Sequence, residues 1–186
     1  MPDAKYVSAG KPKINGAIYW APIGTTVPAS ITATLTGFTE LGYASDAGVV
    51  ESNTKETTAI KEWGGQTVLI VNSGSTDTIK FTLIEAANVD VLKVRYGSSN
   101  VSGSLASGIT VNVNDKELTE GVWVVDMVLN DAAQRIVVPH GVISAVEDVT
   151  YAANSAIGYG ITVTGLLDSS GQAMYKYVKS SATSSN

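Results

Sequence analysis

The chain has no cysteine and a single histidine, His140. These absences exclude a disulfide framework, a cysteine-ligated metal site and any Cys–His or multi-histidine constellation. Following Pro139, His140 reads as an exposed turn residue rather than a catalytic or metal-binding one. Long apolar runs are also missing. The longest, Val122 to Leu129, is broken by Asp126, and no apolar signal core follows Met1-Pro2-Asp3. Neither a secretory signal nor a membrane-inserted segment is expected. Charge is sparse, at 16% of residues, and basic residues are not clustered. Residues 1–16 carry Lys5, Lys11 and Lys13 against Asp3, and the stretch 172–186 carries Lys176 and Lys179 without an acid. The formal charge of −5 therefore divides into +2 at each end and −9 between them. An acidic body argues against phosphate-directed nucleic-acid binding, which needs grouped Lys and Arg. It suits self-association in which basic ends meet acidic neighbours.

What the chain does have is 186 residues with 44% hydrophobic content, enough for one domain with a core of its own. Residues 1–16 read as a flexible arm, with Gly10, Pro12 and Gly16 interrupting any period. Ala17 to Trp20 and Phe38 to Tyr43 read as short strands around a loop at 25–36, and Ser45 to Gly48 as a turn. The segment Thr54 to Glu62 has no apolar face. Lys55, Thr57, Ala59 and Lys61 share one parity, and Glu56, Thr58, Ile60 and Glu62 the other. It is either a solvated loop or a strand whose neighbours belong to another copy. Trp63-Gly64-Gly65-Gln66 then supplies a hairpin turn. Thr67 to Val71 returns as a continuous β-branched run, buried on both sides or paired across an interface. Asn72 to Ser75 reads as a further turn before Thr76 to Leu83, where Ile79, Phe81 and Leu83 alternate with polar residues.

One helix is expected, at about residues 84–96. Thr82-Leu83-Ile84-Glu85 fits a capping box, and Gly97 can end the helix in a left-handed conformation. The remainder reads as β: 109–113, 122–129 as the central strand, 135–138 returning before Pro139, 157–164 and 174–178. In the fourth of these, Gly158, Gly160, Thr162 and Thr164 leave one face nearly bare. The fold class that follows is mainly β, a β-sandwich or partly closed barrel with one flanking helix. A long hairpin at about 54–71 projects from it. The domain spans 17–178, between the arm at 1–16 and a flexible polar tail at 179–186.

The motifs that carry chemistry elsewhere are weak here. Glu147-Asp148 and the set Asp115, Glu117 and Glu120 nominally supply carboxylate pairs for a hydrolase. Adjacent strand residues face opposite ways, so these read as solvated surface. Gly64-Gly65-Gln66 matches the tripeptide of release factors, but as a lone match it reads as a turn. Gly158-Tyr159-Gly160 lies inside a strand and is no dinucleotide loop. Asn100-Val101-Ser102 is an isolated glycosylation sequon. Tyr19, Trp20, Trp63 and Trp123 do not interleave with basic residues, so core and interface packing is the expectation. No enzyme and no cofactor or metal is expected. An immunoglobulin-like or carbohydrate-binding surface module is the alternative.

The chain resembles the major tail tube proteins of long-tailed, siphovirus-type bacteriophages. The resemblance rests on Gly10-Lys11-Pro12-Lys13, Gly16 to Tyr19 with Ala21-Pro22 and Gly24-Thr25, and Leu41-Gly42-Tyr43. It continues through Ile60 to Gly65, Thr76 to Glu85, Asn88 to Leu92, Tyr96-Gly97 and Arg135 to Pro139. The resemblance implies hexameric rings stacked into a tube that conducts DNA into the host cell without binding it specifically. It implies a location in the virion tail after assembly in the host cytoplasm. The tape-measure protein and the tail-terminator and distal tail proteins are the implied partners. By position, it assigns inter-subunit contacts to the hairpin residues Lys55, Glu56, Lys61, Glu62, Trp63, Gly64 and Gly65. Inter-ring contacts fall to Lys5, Lys11, Pro12 and Lys13 of the arm.

Overall fold

A computed structural model describes residues 3, 6–13, 17–118 and 120–180. Eleven strands and one α-helix follow one another in the order β1 (Lys11–Pro12), β2 (Ile18–Pro22), β3 (Thr39–Glu40), β4 (Ala44–Lys61), β5 (Thr67–Leu83), α1 (Val89–Tyr96), β6 (Val101–Ser104), β7 (Gly108–Val111), β8 (Gly121–Val128), β9 (Ala132–Val146), β10 (Tyr159–Gly165) and β11 (Tyr175–Ser180). Nine strands form one antiparallel sheet, ordered β3-β2-β8-β9-β10-β5-β4, with β1 on β8 and β11 on β9. β6 and β7 make a separate hairpin. The mainly-β architecture with one helix is as expected, and the sheet does not close into a barrel.

It is nevertheless strongly curved. β5 and β8 are separated by β10 and β9, about 14 Å apart in a flat sheet. The Phe81 and Trp123 rings on those strands nonetheless stand 5.7 Å centroid to centroid. The concave face gathers Ile18, Ile79, Phe81, Leu83, Trp123, Ile161 and Val163, and α1 closes it with Val91, Leu92 and Val94. The convex face of β8 and β9 carries a smaller layer, Val122, Val124 and Val137. Tyr19, Val27, Leu35, Phe38, Tyr175 and Tyr177 cover it. β8 is thus buried on both faces, as the near-continuous apolar run of a central strand requires.

Several local expectations are corrected. The helix begins at Asn88, whose side chain accepts from the Asp90 N–H at 3.0 Å, and not at Thr82, which lies in β5. Glu85 instead accepts from the Tyr43 N–H at 3.0 Å and from the Asn88 amide at 2.8 Å. Its partners are a strand and a cap, so no capping box forms. Gly97 ends the helix at φ 93°, as expected. Residues 72–75 are not a turn: they continue β5, with Ser73 left over between the Glu56↔Gly74 and Thr57↔Asn72 pairs as a β-bulge. Residues 45–48 likewise form an irregularity within β4. β9 runs straight through Pro139 and His140. The register shift opposite Gly121 and Trp123 accommodates a residue that has no N–H to give the ladder. The bare face of β10 and of Gly158 just before it is filled: a Cβ at Gly158 would meet Thr82, and one at Gly160 would meet the Glu147 side chain.

Candidate assembly surface

The site built by this fold is the hairpin β4–β5. Near the body it is the edge of the main sheet: β5 pairs with β10 from Asp77 to Leu83 and with β4 throughout. Beyond Asp77, β10 ends and the two strands continue alone to the turn at residues 62–66, roughly 30 Å at 3.3 Å per residue. Every residue from Ser52 to Thr76 is exposed. The polar limb is therefore a strand as far as Lys61, without a core of its own chain. Thr67–Val71 is exposed throughout, so it is not buried on both sides within the chain. Register places Thr58 with Val71 and Ile60 with Leu69 on one face, and Ala59 with Ile70 on the other. Val68 (61% exposed), Leu69 (54%), Ile70 (64%) and Val71 (43%) are all uncovered. Full burial of such a side chain contributes about 1.5–3 kcal/mol, so the free chain forgoes on the order of 4 kcal/mol here.

The tip is built around Glu62. Its carboxylate accepts from the Gly64 N–H at 2.8 Å and the Gln66 N–H at 3.1 Å, while Glu62 N–H donates to the Gln66 carbonyl at 2.9 Å. Gly65 takes φ 89°, a conformation that favours glycine. Trp63 stands fully exposed at the apex. Lys55 pairs across with Ser75, Glu56 accepts from the Thr76 hydroxyl at 3.3 Å, and Lys61 faces Thr67. The two N–H donors, Gly64 first and Gln66 second, hold the Glu62 carboxyl below its ordinary value of 4.5. A carboxyl with a depressed folded pKa stabilises above its unfolded pKa and stops doing so as pH falls through the folded value. The turn is therefore expected to loosen progressively as pH falls below 4.5 and through the folded value. Amide exchange at Gly64 and Gln66 should accelerate there, and should already be fast at neutral pH in Glu62→Ala.

The arm is placed differently from the hairpin. Lys11 and Pro12 pair with Val128 and Met127 of the chain's own β8, and Asn130 donates to the Val7 carbonyl at 3.1 Å. The Lys13 ammonium lies 3.4 Å from Asp126, a carboxylate only 6% exposed. Lys11, Pro12 and Lys13 thus lie against their own body, and Lys5 lies outside the described residues, as do 181–186 of the expected tail. Lys179 and Ser180 belong to β11. Asp126 is held chiefly by Arg135, its direct cross-strand neighbour, through bonds of 2.6 and 2.7 Å. Arg135 also donates to the Ser30 and Ala33 carbonyls at 3.1 and 2.8 Å, which ties the loop over the convex layer to the sheet. This pair went unread in the sequence; its only trace was an Asp among valines.

The other candidate residues do not converge. His140 lies in β9 and meets Glu120 at 2.6 Å. Glu147 forms an ion pair with Lys80, and its carbonyl accepts from Arg95. Asp115 and Glu117 are exposed in the irregular segment before β8. Among the described residues no group of three or more His, Cys, Asp or Glu is placed to hold a metal. Asn100 is buried, bonded twice to Asn114 and once to the Tyr96 carbonyl, so the sequon is structural. Trp123 is core, and Tyr19 and Trp20 are half-buried against the two apolar layers, so only Trp63 of the four aromatics projects. No helix among the described residues is long and apolar enough to cross a membrane.

The profile of the phage tail tube protein family matches residues 3–186. The chain belongs to that family. As a tail tube protein it is a structural component of the virion tail and not an enzyme. The tail tube protein is also similar to the tube-terminating cap of the anti-feeding prophage, at 8% identity and a TM-score of 0.41, over 94% of this chain and 95% of that one. No curated protein sequence matches it.

Proposed function

We propose that the chain self-assembles into hexameric rings stacked as the tail tube, through which DNA is delivered into the host cell. The observation that carries this is the hairpin: a ten-residue-deep projection, uncovered on both faces and open along both edges, in a member of the tail tube family. A two-stranded ribbon is marginal alone, and its edges invite pairing. Neighbouring copies that continue the sheet remove those edges, and a heterologous contact closes into a ring when its rotation allows.

Lys55, Glu56, Lys61, Glu62, Trp63, Gly64 and Gly65 form the inter-subunit projection in this reading, with 17–178 as the body. Lys5, Lys11, Pro12 and Lys13 contact the next ring, which requires the arm to leave its place on β8. The acidic body leaves DNA without grouped cations to hold it, so passage without specific binding follows. The tape-measure, tail-terminator and distal tail proteins are the partners inside and at the ends of the tube, and assembly takes place in the host cytoplasm. Electron microscopy of the purified protein tests the reading. Rings or tubes with six subunits per turn are expected; a monomer persisting at high concentration would contradict it.

A further inference from the structure

We propose that the seat of the arm on β8 is an assembly latch. A subunit whose residues 7–13 lie on its own body cannot join, and release of the arm makes it competent. The proposal rests on the self-assembly reading, in which the arm contacts the next ring, and adds what regulates that contact.

The arm is held by ties that can each be given up. β1 is two residues long, both are exposed, and Pro12 has no N–H to give the ladder. The Lys13 N–H reaches the Asp126 carbonyl at 3.4 Å, and the Lys13 ammonium reaches the Asp126 carboxylate at the same distance. Asn130 donates to the Val7 carbonyl at 3.1 Å. Gly10 lies over Met127, where a Cβ would stand 3.4 Å from the sulfur. Asp126 does not depend on the arm. Its two oxygens already accept from Arg135 at 2.6 and 2.7 Å, so departure of Lys13 leaves no buried charge without a partner. Lys13 is itself half-exposed, and water replaces an ion-pair partner at such a site with little loss.

The same ties make the seated arm incompatible with a contact to another ring. Lys11, Pro12 and Lys13 are engaged along β8 at Val128, Met127 and Asp126. One set of residues cannot serve its own body and a neighbour at once. The seat also covers an edge. β2 pairs with β8 only as far as Val125, so among the described residues Met127 and Val128 have the arm alone on that side. Release therefore frees the contact residues and uncovers a short length of strand edge in one step. Because only the released fraction joins, apparent assembly strength scales with that fraction.

Two variants of the full chain test the latch from opposite sides. Asn130→Ala removes the tie to Val7 and keeps the arm's own sequence. Lys11→Cys/Val128→Cys joins cross-strand partners by a disulfide, in a chain with no other cysteine. Circular dichroism confirms each fold, and light scattering with electron microscopy follows assembly. Asn130→Ala is expected to shorten the lag before assembly at least about threefold, because it raises the released fraction. Amide exchange at Lys13 in its monomer should quicken in parallel. The oxidised double variant is expected to stay monomeric, and to assemble once reduced. An oxidised form that assembles as the reduced form does overturns the proposal, as does an unchanged or longer lag in Asn130→Ala. Failure of the disulfide to form in the monomer overturns the seat itself. A wild type that stays monomeric overturns the assembly reading beneath it.

Discussion

Arg135→Met is expected to destabilise the body by about 3 kcal/mol, at the low end of the range for breaking a buried ion pair. The substitution leaves Asp126 as a buried carboxylate with, among the described residues, Lys13, half-exposed and 3.4 Å away, as its remaining ion-pair partner. It also strips the Ser30 and Ala33 carbonyls of their donor. Replacing both partners, as Asp126→Leu/Arg135→Met, removes the stranded charge and should recover most of the loss. A residual deficit of about 1–2 kcal/mol is expected from the two loop carbonyls. Urea denaturation of the monomer measures both values. A loss below 1 kcal/mol in the single variant would show that the pair does not hold the convex layer in place.

Shortening the hairpin should have the opposite signature, with the fold intact and assembly abolished. Replacing residues 56–74 by Asn-Gly joins Lys55 and Ser75, which are cross-strand partners, through a two-residue turn suited to a hairpin. No side chain in the excised stretch is buried, so the unfolding free energy of the monomer from urea denaturation should stay within about 1 kcal/mol of the full chain. Particles visible by electron microscopy should vanish. If the shortened chain still forms rings, the hairpin is not the contact that joins subunits. If it unfolds, the distal strands stabilise the body in a way their exposure does not indicate.

Much of this fold was legible because burial writes a period into the chain. Ile79, Phe81 and Leu83, and Tyr159, Ile161 and Val163, alternate because each strand has one face on the core. Val122 to Val125 has no alternation because it is covered on both sides. The hairpin was legible by the lack of either pattern in Thr54–Glu62. What failed was local chemistry overruled by pairing. Asn72 and Gly74 favour a turn, but β4 runs opposite them, and the ladder absorbs the extra Ser73 as a bulge. Pro139 favours a strand end, but β8 and β10 hold β9 on through Gly141. The Thr82–Glu85 spacing fits a helix start, but Thr82 pairs with Gly160 and Glu85 is taken up by Tyr43 and Asn88. The arm was legible as an interrupted segment, and its place on β8 was not, because a two-residue strand leaves no period to read.

The central claim is that the distal hairpin finds its neighbours in other copies. Amide hydrogen exchange across Thr67–Thr76, compared between monomer and assembled particles, tests it most directly. The account predicts rapid exchange of the open-edge amides in the monomer and at least about tenfold slowing on assembly, while the β8 amides remain protected in both. Equal rates in the two states across Thr67–Thr76 would contradict it.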